Sequence, residues 1–176
     1  MGHWVRMRRQ LIGGLALALC LGLFACDGDP SVEESTFEAT PEGLALLDSV
    51  RGGWQLSGSV QDDCPEEASV PFPLGQSSWT EEDGHLVIEG LGGQAVTLEL
   101  WPIDGSTFGR DLSVSWGGCE AFQTWTLQID TLTAGTMSGV FTSETLVNDS
   151  LTCVQDTSGL GLPCESRVSW SAVRAQ

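Results

Sequence analysis

Three features of this sequence predict an all-β fold, an antiparallel up-and-down β-barrel of about eight strands behind one short helix. Short segments that alternate apolar and polar residues recur from Trp54 to Arg174, which is the period-2 pattern of half-buried strands. Turn pairs such as Asp83-Gly84 and Asp104-Gly105 separate several of these segments, the mark of sequential hairpins. After Gly53 no stretch keeps a helical apolar period. A meander closed on itself leaves no exposed edge. A two-sheet β-sandwich is the alternative, because periodicity alone does not separate the two.

The helix comes first. In "TPEGLALLDSVRGG" Thr40 stands as N-cap, Pro41 at the first helical position and Gly52-Gly53 as the stop, with Leu44, Leu47 and Val50 at helical spacing. "WQLSGSV" then sets Trp54, Leu56 and Val60 on one face of a strand and Gln55, Ser57 and Ser59 on the other. A loop with Cys64 and prolines leads to "SSWTEEDGHLVIEG", a hairpin around Asp83-Gly84. "QAVTLELWP" points Val96, Leu98 and Leu100 inward and Thr97 and Glu99 outward. Leu112, Val114 and Trp116 alternate in "STFGRDLSVSW", as do Trp125, Leu127 and Ile129 in "FQTWTLQID". "TMSGVFTSETL" and "SRVSWSAVR" complete the series.

Residues ahead of the folded part carry a different message. Arg6, Arg8 and Arg9 precede an apolar run from Leu11 to Phe24, the charged n-region and apolar h-region of an export signal. The run is short for a permanent span, which needs about 20 apolar residues. Its end, Leu23-Phe24-Ala25-Cys26, resembles the lipobox of bacterial lipoproteins, although Phe24 is bulkier than usual before the small residue. The resemblance implies cleavage before Cys26 and attachment of a lipid to its thiol. Several acyl chains hold a protein stably where a single chain does not. The expected location is the bacterial cell envelope, at the outer membrane. Asp27 is the feature that in enteric bacteria would instead favour the inner membrane.

The stretch after Cys26 is acidic, poor in large apolar residues and punctuated by Pro30 and Pro41, so it reads as a tether. The chain therefore divides into a signal peptide (1–25), an acidic flexible tether (26–43) and one domain (44–176). The mature chain keeps four arginines against all 24 acids, a formal charge of −20. Such a surface excludes nucleic acid as a partner.

Cys64, Cys119, Cys153 and Cys164 remain in the domain. An even number in an exported chain reads as disulfides, with three pairings open. The glycine- and proline-bearing segment between Cys153 and Cys164 favours a local bridge, which would leave Cys64 with Cys119. Zinc is a poor alternative, since no CxxC spacing occurs and the domain holds one histidine.

Gly52-Gly53-Trp54, placed after a short helix at the start of the first strand, resembles the Gly-x-Trp of lipocalins and their calycin relatives. In that family a basic residue from the last strand packs over the tryptophan, a role the resemblance gives to Arg174. The segment resembling the family's central TDY motif is missing. The resemblance implies a ligand-binding barrel that takes a small apolar molecule.

No catalytic residue is assigned. His85 is the one histidine after the signal and sits beside a turn, no GxSxG elbow occurs, and Glu89 and Glu99 share an outward phase. The acidic clusters lack EF-hand spacing, so neither metal nor cofactor is expected. Of the tryptophans, Trp79 near a hairpin and Trp101 on an outward phase are the candidates for contact with a ligand or partner. The expectation is a non-enzymatic, lipid-anchored envelope protein that binds a small apolar ligand. The alternative is a solid-cored module that meets an envelope protein or glycan.

Overall fold

A computed structural model describes residues 31–35, 39–65, 69–91, 96–116, 119–147 and 161–175. The elements in order are β1 (Ser31–Ser35), α1 (Pro41–Val50), β2 (Gly52–Asp62), β3 (Gly75–Glu82), β4 (His85–Gly90), β5 (Thr97–Pro102), β6 (Thr107–Trp116), β7 (Cys119–Leu132), β8 (Thr136–Val147) and β9 (Cys164–Arg174). Each strand from β2 to β9 pairs antiparallel with the next, and β9 returns to β2. Eight strands thus close an up-and-down barrel, and the sandwich alternative falls.

α1 forms where its caps predict. The Thr40 hydroxyl accepts from Gly43 N at 3.1 Å and Pro41 opens the first turn. The same hydroxyl donates to Ile103 O at 3.2 Å, fixing the helix start against the β5–β6 turn. Leu46, Leu47 and Val50 are buried against the barrel interior. This end also carries the tight connections β3–β4, β5–β6 and β7–β8. In the first of these, Asp83 and Gly84 take φ of 51° and 83°, the left-handed pair of a type I′ turn. In the second, the Asp104 carboxylate accepts from Ser106 N at 2.7 Å. That backbone hydrogen bond is the main reason its pKa lies below the ordinary carboxylate value. At the opposite end β2, β4, β6 and β8 finish and β3, β5, β7 and β9 begin.

The interior of the α1 half is filled by rings. Trp54, Trp79, Phe108 and Phe141 are fully buried. Phe72, from the connection after β2, stacks on Phe141 with ring centroids 5.0 Å apart and lies 5.9 Å from Trp170. Glycines make room for Trp170: Gly139 and Gly58 stand opposite it on the two neighbouring strands. A Cβ on Gly139 would lie 1.9 Å from Gln128 O and 3.0 Å from the Trp170 ring.

Three expectations are corrected. Residues 31–35, read as tether, pair with β6 from Ser115 to Asp111, and α1 begins at Pro41, inside the same stretch. The cause lies in β5, which is short and pairs with β6 only at Trp101↔Gly109 and Pro102↔Phe108, so β1 occupies the edge that β5 leaves bare. Val60, predicted inward, is 56% exposed. β2 loses its β3 partner beyond Leu56↔Gly75 and continues beside β9 alone.

The third correction concerns the cysteines. Cys64 bonds Cys164, with Cα atoms 4.9 Å apart, in place of the expected Cys153–Cys164 and Cys64–Cys119 bridges. The β2–β9 register explains the choice: Asp62 stands opposite Ser166, and Asp63 N donates to Glu165 O at 3.1 Å. The next step along the same ladder places Cys64 opposite Cys164. Cys119 opens β7, while Cys153 and Cys26 lie outside the described residues.

Candidate functional site

The structure brings Trp54 and Arg174 together at the α1 end. The Arg174 guanidinium carbon lies 4.5 Å from the Trp54 ring centroid. Its Nε donates to Ala134 O at 3.0 Å and its Nη1 to Arg51 O at 3.3 Å, while Trp54 Nε1 donates to Val50 O at 2.8 Å. One side chain therefore joins the end of α1, the β7–β8 turn and the first barrel strand. Gly52 has a φ of 137°, and a Cβ there would lie 2.6 Å from Arg174 Nη1. Both the backbone conformation and the approach of the guanidinium require glycine at that place.

The two tryptophan candidates for contact separate. Trp79 is 1% exposed and its Nε1 donates to Ser77 Oγ at 3.0 Å, so it is a core residue and the expectation of a contact site there is corrected. Its inward phase on β3 is shared with Ser77 and Glu81, and these polar neighbours conceal it in the sequence. Trp101 is half-buried. Its ring stacks on His85 with centroids 5.0 Å apart, and the Arg110 guanidinium carbon lies 5.4 Å from it. Glu89 is exposed, whereas Glu99 pairs with Arg110 at 3.4 Å.

Arg110 was not singled out from the sequence. It lies at the point where β5 and β6 part and is 6% exposed. Its guanidinium carbon is 5.3 Å from the Trp125 centroid as well as 5.4 Å from that of Trp101. The two rings and the Glu99 carboxylate compensate a buried charge that would otherwise be costly.

Arg110 heads a row that crosses the inner wall. Backbone register places Arg110 opposite Trp125, Trp125 opposite Ser143, Ser143 opposite Ser166, and Ser166 opposite Asp62. Two residues nearer α1 on each strand the corresponding row is Phe108, Leu127, Phe141, Val168 and Val60. Two residues the other way it is Leu112, Gln123, Thr145 and Cys164. From Phe108, Leu127, Phe141 and Val168 the inward face thus turns within one step along the strands, a rise of about 7 Å, to a mixed surface in which Ser143, Gln123, Thr145 and Ser166 stand beside Leu112, Val114 and Ala121.

Within these rows Gln123 Nε2 donates to Thr145 Oγ1 at 3.3 Å. The Asp62 carboxylate accepts from Cys64 N at 3.0 Å and from Ser69 Oγ at 2.6 Å. Ser143 Oγ and Trp125 Nε1 are buried and meet no hydrogen-bond partner in the protein. Buried polar atoms are nearly always satisfied; Arg110 Nε and Trp170 Nε1 are the other buried side-chain atoms without a hydrogen bond among the described residues.

A signal for this row exists in the sequence. The inward phases of β7, β8 and β9 each change from large apolar residues to Gln123, Thr145 and Ser166 toward the same end of the barrel. Only the register aligns the three changes. Among the described residues no group of three or more His, Cys, Asp and Glu side chains is placed to hold a metal ion. Compared with known proteins, the chain matches no family model, no curated protein and no solved structure.

Proposed function

We propose that this protein is an exported, lipid-anchored envelope lipoprotein whose lipocalin-like barrel binds a small apolar ligand and carries out no catalysis. The observation that carries the reading is the unequal construction of the two barrel ends. Among the described residues, α1, three tight turns and the Trp54–Arg174 contact cover one end, and no helix covers the other. A barrel of this size holds one ligand or fills with its own side chains, and a blind-ended barrel suits a ligand that enters from a single mouth. The lipobox at Leu23–Cys26 supports the anchor, and the register supports its placement. β1 runs antiparallel to β6 with Ser31 opposite Ser115, so the N-terminal end of β1, the end nearer Cys26 in sequence, lies away from α1.

A second reading, the solid-cored interaction module, is favoured by the ring packing of Phe72, Phe141, Trp170 and Trp79. An exposed apolar pair on the outer wall, Phe122 opposite Leu146, would then meet the envelope partner.

Native mass spectrometry of protein purified from membranes separates the two. A retained small molecule beyond the mass of the acylated chain is expected for the carrier. A bare acylated chain, combined with loss of partner capture in a Phe122→Asp variant, would establish the module instead. The anchor has its own test: a Cys26→Ala protein is expected to leave the membrane fraction, and its retention there would contradict lipidation.

A further inference from the structure

We infer that the half of the barrel away from α1 holds a head-group site for a neutral amphiphile, whose carbonyl or hydroxyl oxygen is taken by Trp125 Nε1–H and the Ser143 hydroxyl. The inference rests on the ligand-binding reading above and adds the chemistry and direction of the ligand. Trp125 and Ser143 are cross-strand neighbours on the inner face, and Ser143 is fully buried. Trp125 Nε1 and Ser143 Oγ are buried without a hydrogen-bond partner in the protein; Arg110 Nε in the same row makes no hydrogen bond either, while the guanidinium it belongs to is held by Glu99 and the two rings. An indole N–H only donates, and a hydroxyl donates or accepts, so the pair converges on an acceptor oxygen.

The groups on either side are already committed. Arg110 is ion-paired to Glu99 and lies against two indole rings. Gln123 donates to Thr145, and Asp62 accepts from the segment after β2. With the one buried cation of this row compensated and a carboxylate in the same row, a charged acid gains nothing that a neutral oxygen lacks.

Direction follows from what fills each half. Below the row, toward α1, the interior is occupied by Phe108, Phe141, Phe72 and the buried tryptophans. Above it, Leu112, Val114 and Ala121 present a buried apolar wall. The ligand therefore enters head-first, with its oxygen at the row and its chain along that wall toward the mouth.

The test uses the complete mature chain carrying Cys26→Ala, ¹⁵N-labelled, with indole N–H signals followed during titration with 2-octanone, octane and octanoate. The Trp125 signal is assigned by its loss in Trp125→Phe. 2-Octanone is expected to move that signal saturably, and Ser143→Ala to weaken 2-octanone by about fivefold to tenfold, the worth of one hydrogen bond, while leaving octane unchanged. Ser143→Ala removes one buried oxygen and serves as the readout if Trp125→Phe does not fold. Equal binding of octane and 2-octanone with an unmoved Trp125 signal would overturn the head-group site while sparing the ligand-binding barrel. Tightest binding by octanoate would overturn the neutral assignment in favour of Arg110. Binding of none of the three would overturn the head-group site, and a bare acylated chain in mass spectrometry would then remove the ligand-binding reading as well.

Discussion

Arg174 bears on three elements at once, since its guanidinium lies over Trp54 and donates to the carbonyls of Arg51 and Ala134. Replacing it by alanine removes a cation–π contact and two charge-assisted hydrogen bonds. A loss of about 1–3 kcal/mol is expected, read as a lowered urea midpoint at unchanged slope. Arg174→Lys should recover only part of it, because an ammonium lacks the planar fork that reaches two carbonyls. The contact was expected only from the resemblance to lipocalins carried by Gly52-Gly53-Trp54, which gave the packing role to Arg174. Gly139 was not legible. It faces a register irregularity between Ile129 and Thr131 that brings the β7 backbone over it, as glycines in strands often permit. Gly139→Ala must displace backbone and not merely a flexible side chain, and should cost about 1–3 kcal/mol by chemical denaturation.

At the level of elements, the alternation in β5, β7, β8 and β9 states which residues face inward, and α1 announces itself through Thr40 and Pro41. β3 does not, since Ser77, Trp79 and Glu81 share a phase. β1 defeats compositional reasoning for a clear reason: its sequence SVEES has one apolar residue, and the strand is recognised by its backbone pairing with β6. A strand edge offers the same backbone hydrogen bonds to acidic and apolar residues alike. Removing the chain through Ser35 should leave the barrel folded while amide exchange accelerates at Asp111–Ser115 on β6. Unchanged exchange there would mean that β1 contributes no pairing in solution.

Across the whole molecule, the Cys64–Cys164 bridge spans a sequence separation of 100 residues and ties the exit of β2 to the start of β9 at the mouth. On chain-entropy grounds a loop of that length contributes about 4.7 kcal/mol, and losing a native bridge from a small exported domain costs about 2–5 kcal/mol. A Cys64→Ala, Cys164→Ala double variant should therefore unfold at markedly lower denaturant concentration. Peptide mapping of the unreduced chain should recover the Cys64–Cys164 crosslink. The same map reads the state of Cys119 and Cys153 directly. Barrel closure gives this bridge its length, since β9 returns to the strand that follows α1.

Composition, period and punctuation by themselves determined the kind of fold and the eight strands of the barrel, the helix and its cap, the Asp83-Gly84 turn and the acidity. Each depends on residues within a few positions of one another. Register, closure and the meeting of distant strands belonged to the tertiary structure. They decided that Cys164 pairs with Cys64, that Trp79 is core, that β1 completes the wall beside β6, and that Trp125 and Ser143 stand together inside. A strand's own sequence states which face is apolar. Its partner, and the step at which the two align, are set by closing all eight strands at once, and the polar row exists only in that alignment.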